Sequence, residues 1–195
     1  MMTMNTIIKS SNGISLVPIE SRLLTDRKVF IEGEINSASA CDFVKCMMLL
    51  IKEDAEKPID VYINSPGGEV VSGMLILDTL KGLKAEINLH CIGMAASMAA
   101  ILLSAGEKGH RFVSPHAKIM IHEPLIAGGV GGSASSIKRT AESILETKAM
   151  TVELLANSTG RSKKEIEKAI SYDNYMNAEE CIEFGIADSV ETTIV

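Results

Sequence analysis

The stretch from Cys91 to Ala100 constrains the fold of this chain more than any other part of the sequence. Apolar and β-branched residues roughly alternate from Glu86 to Ile92, which predicts a strand, and the small residues from Ala95 to Ala105 predict a tightly packed helix. Gly93 supplies a permissive backbone between them. This arrangement puts Ser97 in the first turn of the helix, beside unpaired backbone N–H groups and the positive end of the helix dipole.

The hydroxyl of Ser97 has two explanations in that place. Serine is a common cap at the start of a helix, where its oxygen accepts a hydrogen bond from the backbone, and this role is purely structural. The same N–H groups would stabilise a developing oxyanion if a base lay near the hydroxyl. The stretch alone leaves both roles open.

Strands and helices alternate along the rest of the chain, which predicts a stacked α/β fold. The segments predicted as strands are Lys28–Ile35, Ile59–Asn64 and Lys118–His122, and those predicted as helices are Ser37–Lys52, Glu69–Leu83 and Ser133–Ala156. Near the C-terminus, Ser162 with Glu165 matches a capping box for a short helix to Ile170, and Asn177 begins another that ends near Gly185. Thr6–Ile8 and Ile14–Val17 predict a terminal hairpin around a turn at residues 10–13.

Composition excludes several classes of protein. A chain of 195 residues with 46% hydrophobic residues can form one hydrophobic core. The net charge of -6, without a cluster of Lys or Arg interleaved with aromatic residues, argues against nucleic-acid binding. The longest apolar run, Cys91–Leu103, is too short to span a bilayer, and Met1–Asn12 lacks the pattern of a secretion signal, so we expect a soluble protein without membrane contact.

The cysteines point to the cellular compartment. The four cysteines form no C-x-x-C pair and lie in apolar segments, so they are interpreted as small, reduced core residues of a cytoplasmic protein. These residues are Cys41, Cys46, Cys91 and Cys181.

A nucleophilic serine needs an imidazole to take its proton. Of the four histidines, His122 ends a predicted strand immediately before Glu123-Pro124, where an imidazole can face a cleft, whereas His90 lies within a strand. His110 and His116 precede His122 at six-residue intervals, but Pro115 interrupts the run and no Cys or Asp has the spacing of a zinc ligand, so we expect no metal. Several acids remain candidates for orienting the imidazole. Asp173 is one because it lies in a loop after a helix, although an ordinary turn aspartate would look the same.

A pair of glycines follows the second predicted strand. In Ser65-Pro66-Gly67-Gly68 the backbone N–H groups could face the edge of a cleft, or the segment could simply be a tight turn. Its spacing matches neither the Walker pattern nor the dinucleotide fingerprint, so we expect no organic cofactor. Ser97 also lacks the flanking glycines of the α/β-hydrolase elbow, which requires a different scaffold for any serine chemistry.

Four segments together resemble the ClpP family, the proteolytic subunit of the Clp protease: Ile63–Gly68, Gly93–Met98, Met120–Leu125 and Glu183–Asp188. The likeness extends from about Ser21 to Val190. It implies a ClpP/crotonase fold of stacked strand-strand-helix units with a protruding handle helix. It also implies an N-terminal axial loop or hairpin at residues 1–20, a single peptidase domain at residues 21–195, and a handle at about residues 123–158.

The resemblance also implies a site and an assembly. Matched position by position, Ser97 is the nucleophile, His122 the general base and acid, and Asp173 the orienting acid, with the N–H groups of Gly68 and Met98 forming the oxyanion hole. Neither metal nor organic cofactor takes part. The family forms heptameric rings, stacked in pairs as a tetradecamer, and degrades peptides alone and unfolded proteins with an AAA+ unfoldase in cytoplasmic quality control.

Two departures from the family pattern concern ring pairing. The family places an acid and an Arg just before the catalytic aspartate to link the rings, where this chain has Ser171-Tyr172. The segment Leu125–Ser133 is about two residues longer than its counterpart and lacks the glutamines that the family uses in a strand between rings. We therefore expect a weaker or shifted contact between rings.

A third departure concerns the docking rim, where the unfoldase inserts an apolar loop between subunits. Tyr62, Ile92 and Phe112 keep the apolar character of this rim. A polar rim would lose much of the apolar burial that drives docking. We hypothesise a divergent ClpP copy that binds an unfoldase weakly and works beside a second ClpP paralogue. The other matching positions carry Asp60, Gly82, His90, Ser114 and Glu191.

Two other functions remain open. The altered ring contact and rim would also suit a structural or weakly active subunit of a mixed ClpP assembly. Crotonases share the implied fold, so an acyl-CoA hydratase or isomerase is the third possibility, although the ordered Ser97, His122 and Asp173 count against it. Turnover after Ser97→Ala distinguishes the first two functions, and acyl-CoA binding tests the third.

Overall fold

The computed structural model describes residues 4–10, 13–126 and 128–193. Strands and helices alternate over much of this part of the chain, and the predicted α/β class is confirmed. The strands are β1 (Asn5–Ser10), β2 (Gly13–Pro18), β3 (Lys28–Ile35), β4 (Ile59–Gly68), β5 (Ile87–Ala96), β6 (Arg111–Val113), β7 (Lys118–Ile121), β8 (Asn174–Met176) and β9 (Ser189–Val190). The helices are α1 (Ile19–Thr25), α2 (Ser37–Glu53), α3 (Val70–Gly82), α4 (Met98–Ser104), α5 (Ala134–Thr159), α6 (Lys163–Ala169) and α7 (Ala178–Phe184).

The central sheet is built from parallel strands in the order β3-β4-β5-β6-β9. Alternate residues of these strands point to one face and are buried, and the small helix α4 packs on β4 and β5 while α2 packs on β3. Because apolar, often β-branched side chains fill this face, the sheet and helices form a continuous core. Buried apolar residues on this face include Val29, Ile31, Ile59, Val61, Ile63, Leu89, Cys91 and Val113.

Strand β5 changes partners along its length. Its first half pairs with β6 and its second half pairs with β7, which in turn pairs antiparallel with β8. The change coincides with a shift in the β4–β5 register at Gly93, where an added Cβ would lie 2.6 Å from Asn64 Oδ1. A glycine is therefore required there because the Asn64 side chain occupies the space, and not for the backbone freedom expected from the sequence.

Helix α5 forms the predicted handle helix. It begins after the N-cap Ser133 and ends at Gly160, which adopts the left-handed conformation of a helix C-cap. Its buried side chains lie only near its C-terminal end, from Thr151 to Ala156, while the apolar side chains of Ile137 and Leu145 are exposed. The first half of α5 therefore projects beyond the core of this chain.

Local sequence signals located the other helices well. The capping boxes of α6 at Ser162 and α7 at Asn177 are present, and Gly185 ends α7 in the left-handed conformation. Strands β1 and β2 form the predicted hairpin, whose turn at residues 11–12 lies outside the described residues. Helix α1 and the short strands β6, β8 and β9 were not predicted. Across the described ranges, every helix is too short or too polar to cross a lipid bilayer.

Candidate active site

Ser97 lies on a sharp turn between β5 and α4. Its backbone has φ 54° and ψ −122°, an unfavourable conformation for a residue with a side chain. The prediction that the helix includes Ala95 was wrong, because β5 continues to Ala96 and the helix begins at Met98. Pairing explains the difference: Ala95 lies opposite residues of both β4 and β7, and this pairing outweighs the helix propensity of the small residues.

Strand β7 brings His122 to this turn. Ala96 pairs with Met120, and the backbone N–H of Ser97 donates to the Met120 carbonyl at 2.8 Å. The next residue ends β7, so His122 leaves the sheet beside Ser97. The His122 Nε2 atom lies 2.8 Å from the Ser97 Oγ atom, a hydrogen-bonding distance.

Strand β8 brings Asp173 to the other side of the imidazole. Ile121 pairs with Asn174, so the residue before β8 lies next to the residue after β7. Asp173 Oδ1 is 3.3 Å from His122 Nδ1, with 64% of the Asp173 side chain exposed and 16% of the His122 side chain exposed. A proton on Nδ1 would face this carboxylate and leave Nε2 free to accept the Ser97 hydroxyl proton.

Gly67 packs directly against the turn that carries Ser97. Its φ is +92°, and a Cβ added there would lie 2.6 Å from the Ala96 carbonyl oxygen and 2.8 Å from Ser97 Cβ. A side chain at this position would therefore displace the hydroxyl. The sequence indicated that the Gly67–Gly68 pair could border the cleft, but this contact depends on the relative position of β4 and β5.

The two N–H groups expected to bind an oxyanion lie near the same turn. Glu69 donates its N–H to the Ile35 carbonyl on β3, and Gly68 directly follows Gly67, whose built Cβ meets the Ser97 turn. Met98 is the first residue of α4, so its N–H has no acceptor within the helix. A built Cβ of Gly67 lies 3.0 Å from the Met98 nitrogen, which shows how closely β4 approaches the helix start.

A small pocket opens beside the Ser97 hydroxyl. Four apolar residues line it, and Thr151 of α5 adds one polar side chain. No motif in the sequence indicated that Thr151 would reach this site. Besides Ser97, His122 and Thr151, the pocket is lined by Val70, Met98, Ile101 and Pro124.

Three residues of the predicted docking rim, Tyr62, His90 and Phe112, alternate with core residues of β4, β5 and β6, so they lie on the opposite face of the central sheet from those core residues. The rings of Phe30, Tyr62, His90 and Phe112 stack on one another across β3, β4, β5 and β6, with centroids 4.9 to 5.2 Å apart. Ile92 follows on the same face of β5, two residues after His90. An imidazole thus stands between the Tyr62 and Phe112 rings in this row.

Two carboxylates flank the His90 ring. Glu191 Oε2 lies 2.6 Å from Nδ1, and Asp60 Oδ1 lies 3.6 Å from Nε2, which is an ion-pair distance. Burial alone would lower the pKa of His90, but Asp60 and Glu191 together outweigh burial and raise it. The pKa of Asp60 is lowered chiefly by His90, against the effect of its partial burial. Lys28, which donates to the Tyr62 hydroxyl at 2.9 Å, adds a positive charge at the edge of this cluster.

The cysteines differ in their surroundings. Cys91 and Cys181 are buried, and burial raises the pKa of their thiols to about 11 and about 12. Cys41 is exposed on α2, so its assignment to the core was wrong, and Cys46 is partly buried. Within the described ranges, no group of three or more His, Cys, Asp or Glu side chains is arranged to hold a metal ion.

Residues 11–193 match the model of the family described as Clp protease. The match covers the turn that carries Ser97, the residues His122 and Asp173, and helix α5.

Proposed function

The chain belongs to the Clp protease family, and on that premise we propose that it is a serine endopeptidase in which Ser97 is the nucleophile, His122 the general base and acid, and Asp173 the orienting acid. Family membership supports a ClpP-like peptidase and implies oligomeric assembly with an unfoldase and protein substrates. The observation that carries the residue assignment is the 2.8 Å contact between Ser97 Oγ and His122 Nε2.

The proposed reaction begins at that contact. His122 Nε2 takes the hydroxyl proton as Ser97 Oγ attacks the carbonyl carbon of a peptide bond. The resulting imidazolium faces the Asp173 carboxylate, which lies 3.3 Å from Nδ1, and this contact orients the ring. His122 then gives its proton to the leaving amine, and the C–N bond breaks. A water molecule, deprotonated by the same imidazole, hydrolyses the ester on Ser97 and restores the enzyme.

The tetrahedral intermediate places a negative charge on the former carbonyl oxygen. We assign its stabilisation to the N–H groups of Gly68 and Met98, whose positions near the Ser97 turn support this role. Gly68 is the last residue of β4 and Met98 is the first residue of α4, so both donors are held in place before the substrate binds. Preorganised donors of this kind need no rearrangement as the charge develops.

The pocket beside Ser97 supports a preference for substrates with an apolar side chain before the scissile bond. Val70, Met98, Ile101 and Pro124 offer apolar contact, and among the described residues of the lining Thr151 adds one polar side chain to the catalytic pair. Burial of a substrate side chain there would contribute binding energy in proportion to the apolar area covered.

We propose heptameric rings, stacked in pairs through the handle as a tetradecamer. The projecting half of α5 and the segment before it carry exposed apolar side chains, a pattern that supports contact with a second ring. Tyr172, at the place of the family's charged latch, is 60% exposed. We therefore expect the rings to associate more through apolar contact than through ion pairs. The exposed apolar residues are Leu125, Ile126, Val130, Ile137 and Leu145.

The docking rim supports weak binding of an AAA+ unfoldase. The His90 ring separates Tyr62 from Phe112, and its neighbours Asp60 and Glu191 make the cluster polar. An apolar loop docking there would have to desolvate these charged groups. A second ClpP paralogue could then supply the docking surface in a mixed assembly of cytoplasmic rings.

The same rim favours one alternative, a structural or weakly active subunit of a mixed assembly. Under that alternative the active partner does the cutting, and Ser97→Ala in this chain leaves the turnover of the mixed complex unchanged. The contact between Ser97 and His122 supports the active enzyme instead.

Peptide hydrolysis by the purified oligomer tests the proposal. Ser97→Ala and His122→Ala are each expected to lower kcat for a fluorogenic peptide with an apolar side chain before the bond by at least about 10³-fold. His116→Ala is the matched control, because His116 is exposed in a loop, and should keep wild-type activity. Equal activity of the wild type and Ser97→Ala would refute the proposed peptidase.

A further inference from the structure

We infer that the ion pair between Glu123 and Lys148 is a positioning contact that holds α5 against the segment carrying His122 and so sets the size of side chain accepted beside Ser97. The inference deepens the proposed peptidase function and rests on it. Neither residue touches the reacting atoms, so the pair would act through the wall of the pocket.

Glu123 joins three parts of the site. It directly follows His122, and its backbone N–H donates to the Ile170 carbonyl at 2.8 Å, in the connection that leads to Asp173. Its carboxylate contacts the Lys148 ammonium group on α5. Glu123 therefore contacts the segment before Asp173 through its backbone and helix α5 through its side chain.

Lys148 lies where α5 leaves the core. Thr151, one turn further along the same face of the helix, is buried and lines the pocket together with Ser97 and His122. The residues of α5 before Thr151 are exposed or half-buried. Core packing holds the helix beyond Thr151, at Val152, Leu155 and Ala156, and the ion pair restrains it one turn before Thr151. Thr151 therefore lies at the boundary between the two restraints, and its position depends on both.

This geometry predicts how the preference for substrate side chains changes when the ion pair is lost. Without the pair, the projecting half of α5 can tilt away from Pro124 and His122, and the wall formed by Thr151 moves outward. A wider pocket favours large side chains over small ones. The side chains of Lys148 and Glu123 are 34% and 48% exposed, so their attraction is weak and is screened by salt. We therefore expect its loss to change the selectivity for side-chain size by only about two- to five-fold.

The test compares kcat/KM for two fluorogenic peptides that differ only in Phe or Ala before the scissile bond. Lys148→Met and Glu123→Gln are each expected to raise the Phe-to-Ala ratio about two- to five-fold, with no further change in the double variant. The wild-type ratio should rise with ionic strength, and the ratio of the double variant should not. Charge exchange, Glu123→Lys with Lys148→Glu, should restore the wild-type ratio.

The ion pair between Lys163 and Glu153 provides the matched control. It also contacts α5, but it involves residues outside the lining of the pocket. Lys163→Met should leave the Phe-to-Ala ratio and its salt dependence unchanged, even if thermal stability falls as much as in Lys148→Met. Equal changes in both variants would show a general structural effect and overturn the inference, as would an unchanged ratio in Lys148→Met.

Labelling separates this inference from the proposed function. A fluorophosphonate should modify Ser97 in the wild type and in Lys148→Met. If the wild type is folded but neither labels nor cleaves peptides, the peptidase proposal fails and the positioning role falls with it. If both proteins label and the peptide ratios are identical, only the positioning role is refuted.

Discussion

Replacing Gly67 by alanine should damage activity much more than stability, because the new methyl group would meet the turn that carries Ser97. The built Cβ lies 2.6 Å from the Ala96 carbonyl oxygen and 2.8 Å from Ser97 Cβ. Moving that oxygen to an ordinary contact of about 3.4 Å requires a shift of about 0.8 Å. Misplacement of a reacting group by about 1 Å costs about 10²-fold, so we expect kcat/KM to fall about 10²-fold.

Gly109 provides a control with nearly the same backbone conformation. Its φ is +91°, against +92° for Gly67, but no atom lies within 4 Å of its built Cβ. Gly109→Ala therefore isolates the strain of placing a side chain at this φ, about 1–2 kcal/mol in the free energy of unfolding. It should retain the wild-type kcat/KM, because Gly109 lies in a loop away from the site.

The assay combines kcat/KM for a fluorogenic peptide with urea unfolding of both variants at one protein concentration. We predict that strain at the positive φ lowers the free energy of unfolding by a similar amount in each variant. The loss of kcat/KM should be confined to Gly67→Ala. If Gly67→Ala is folded and fully active, the close packing of Gly67 against Ser97 does not control the position of the hydroxyl. Equal loss of activity in both variants would also refute the reasoning.

Three further predictions concern other charged groups. The raised pKa of His90 belongs to the folded state, so its contribution to the free energy of unfolding is complete below about pH 6.5 and is lost as pH rises through the folded pKa. The difference in the free energy of unfolding between wild type and His90→Gln should shrink over that range, and a difference that does not change with pH would contradict the prediction. Arg111→Met should lower the free energy of unfolding, measured in urea, by about 3–5 kcal/mol. The reason is that the buried guanidinium pairs with Asp188 and donates to three backbone carbonyls. A loss below about 1 kcal/mol would be inconsistent with that network. Asp173→Ala should lower kcat by less than removal of the proposed base does, because the carboxylate is largely exposed, and an equal loss would assign it a larger role.

Much of the fold follows from periodicity and capping signals in the sequence. The alternating residues of β3 predict its bounds correctly. The capping residues Ser162 and Asn177 predict where the helices after them begin. Strands β6, β8 and β9 have only two or three residues each, too few for a period, so they form only because longer strands offer them partners. The extension of β5 through Ala96 was missed for a related reason, since pairing with two strands overrides local propensity.

The candidate site was only partly accessible from the sequence. The residue types and the family resemblance single out Ser97, His122 and Asp173, and the structure brings their side chains together. Their meeting depends on the registers of β5 with β7 and of β7 with β8, which join segments distant along the chain. The contact of Gly67 with the Ser97 turn and the place of Thr151 in the pocket likewise depend on packing between elements, which no local pattern encodes.

The most direct test of the account asks whether His122 makes the Ser97 hydroxyl nucleophilic. The folded oligomer is treated with a fluorophosphonate, and the modified residue is identified by mass spectrometry of its peptides. We predict one adduct, on Ser97, that forms far more slowly in His122→Ala. A folded protein that stays unmodified, an adduct only at another residue, or a labelling rate unchanged by His122→Ala would contradict the account.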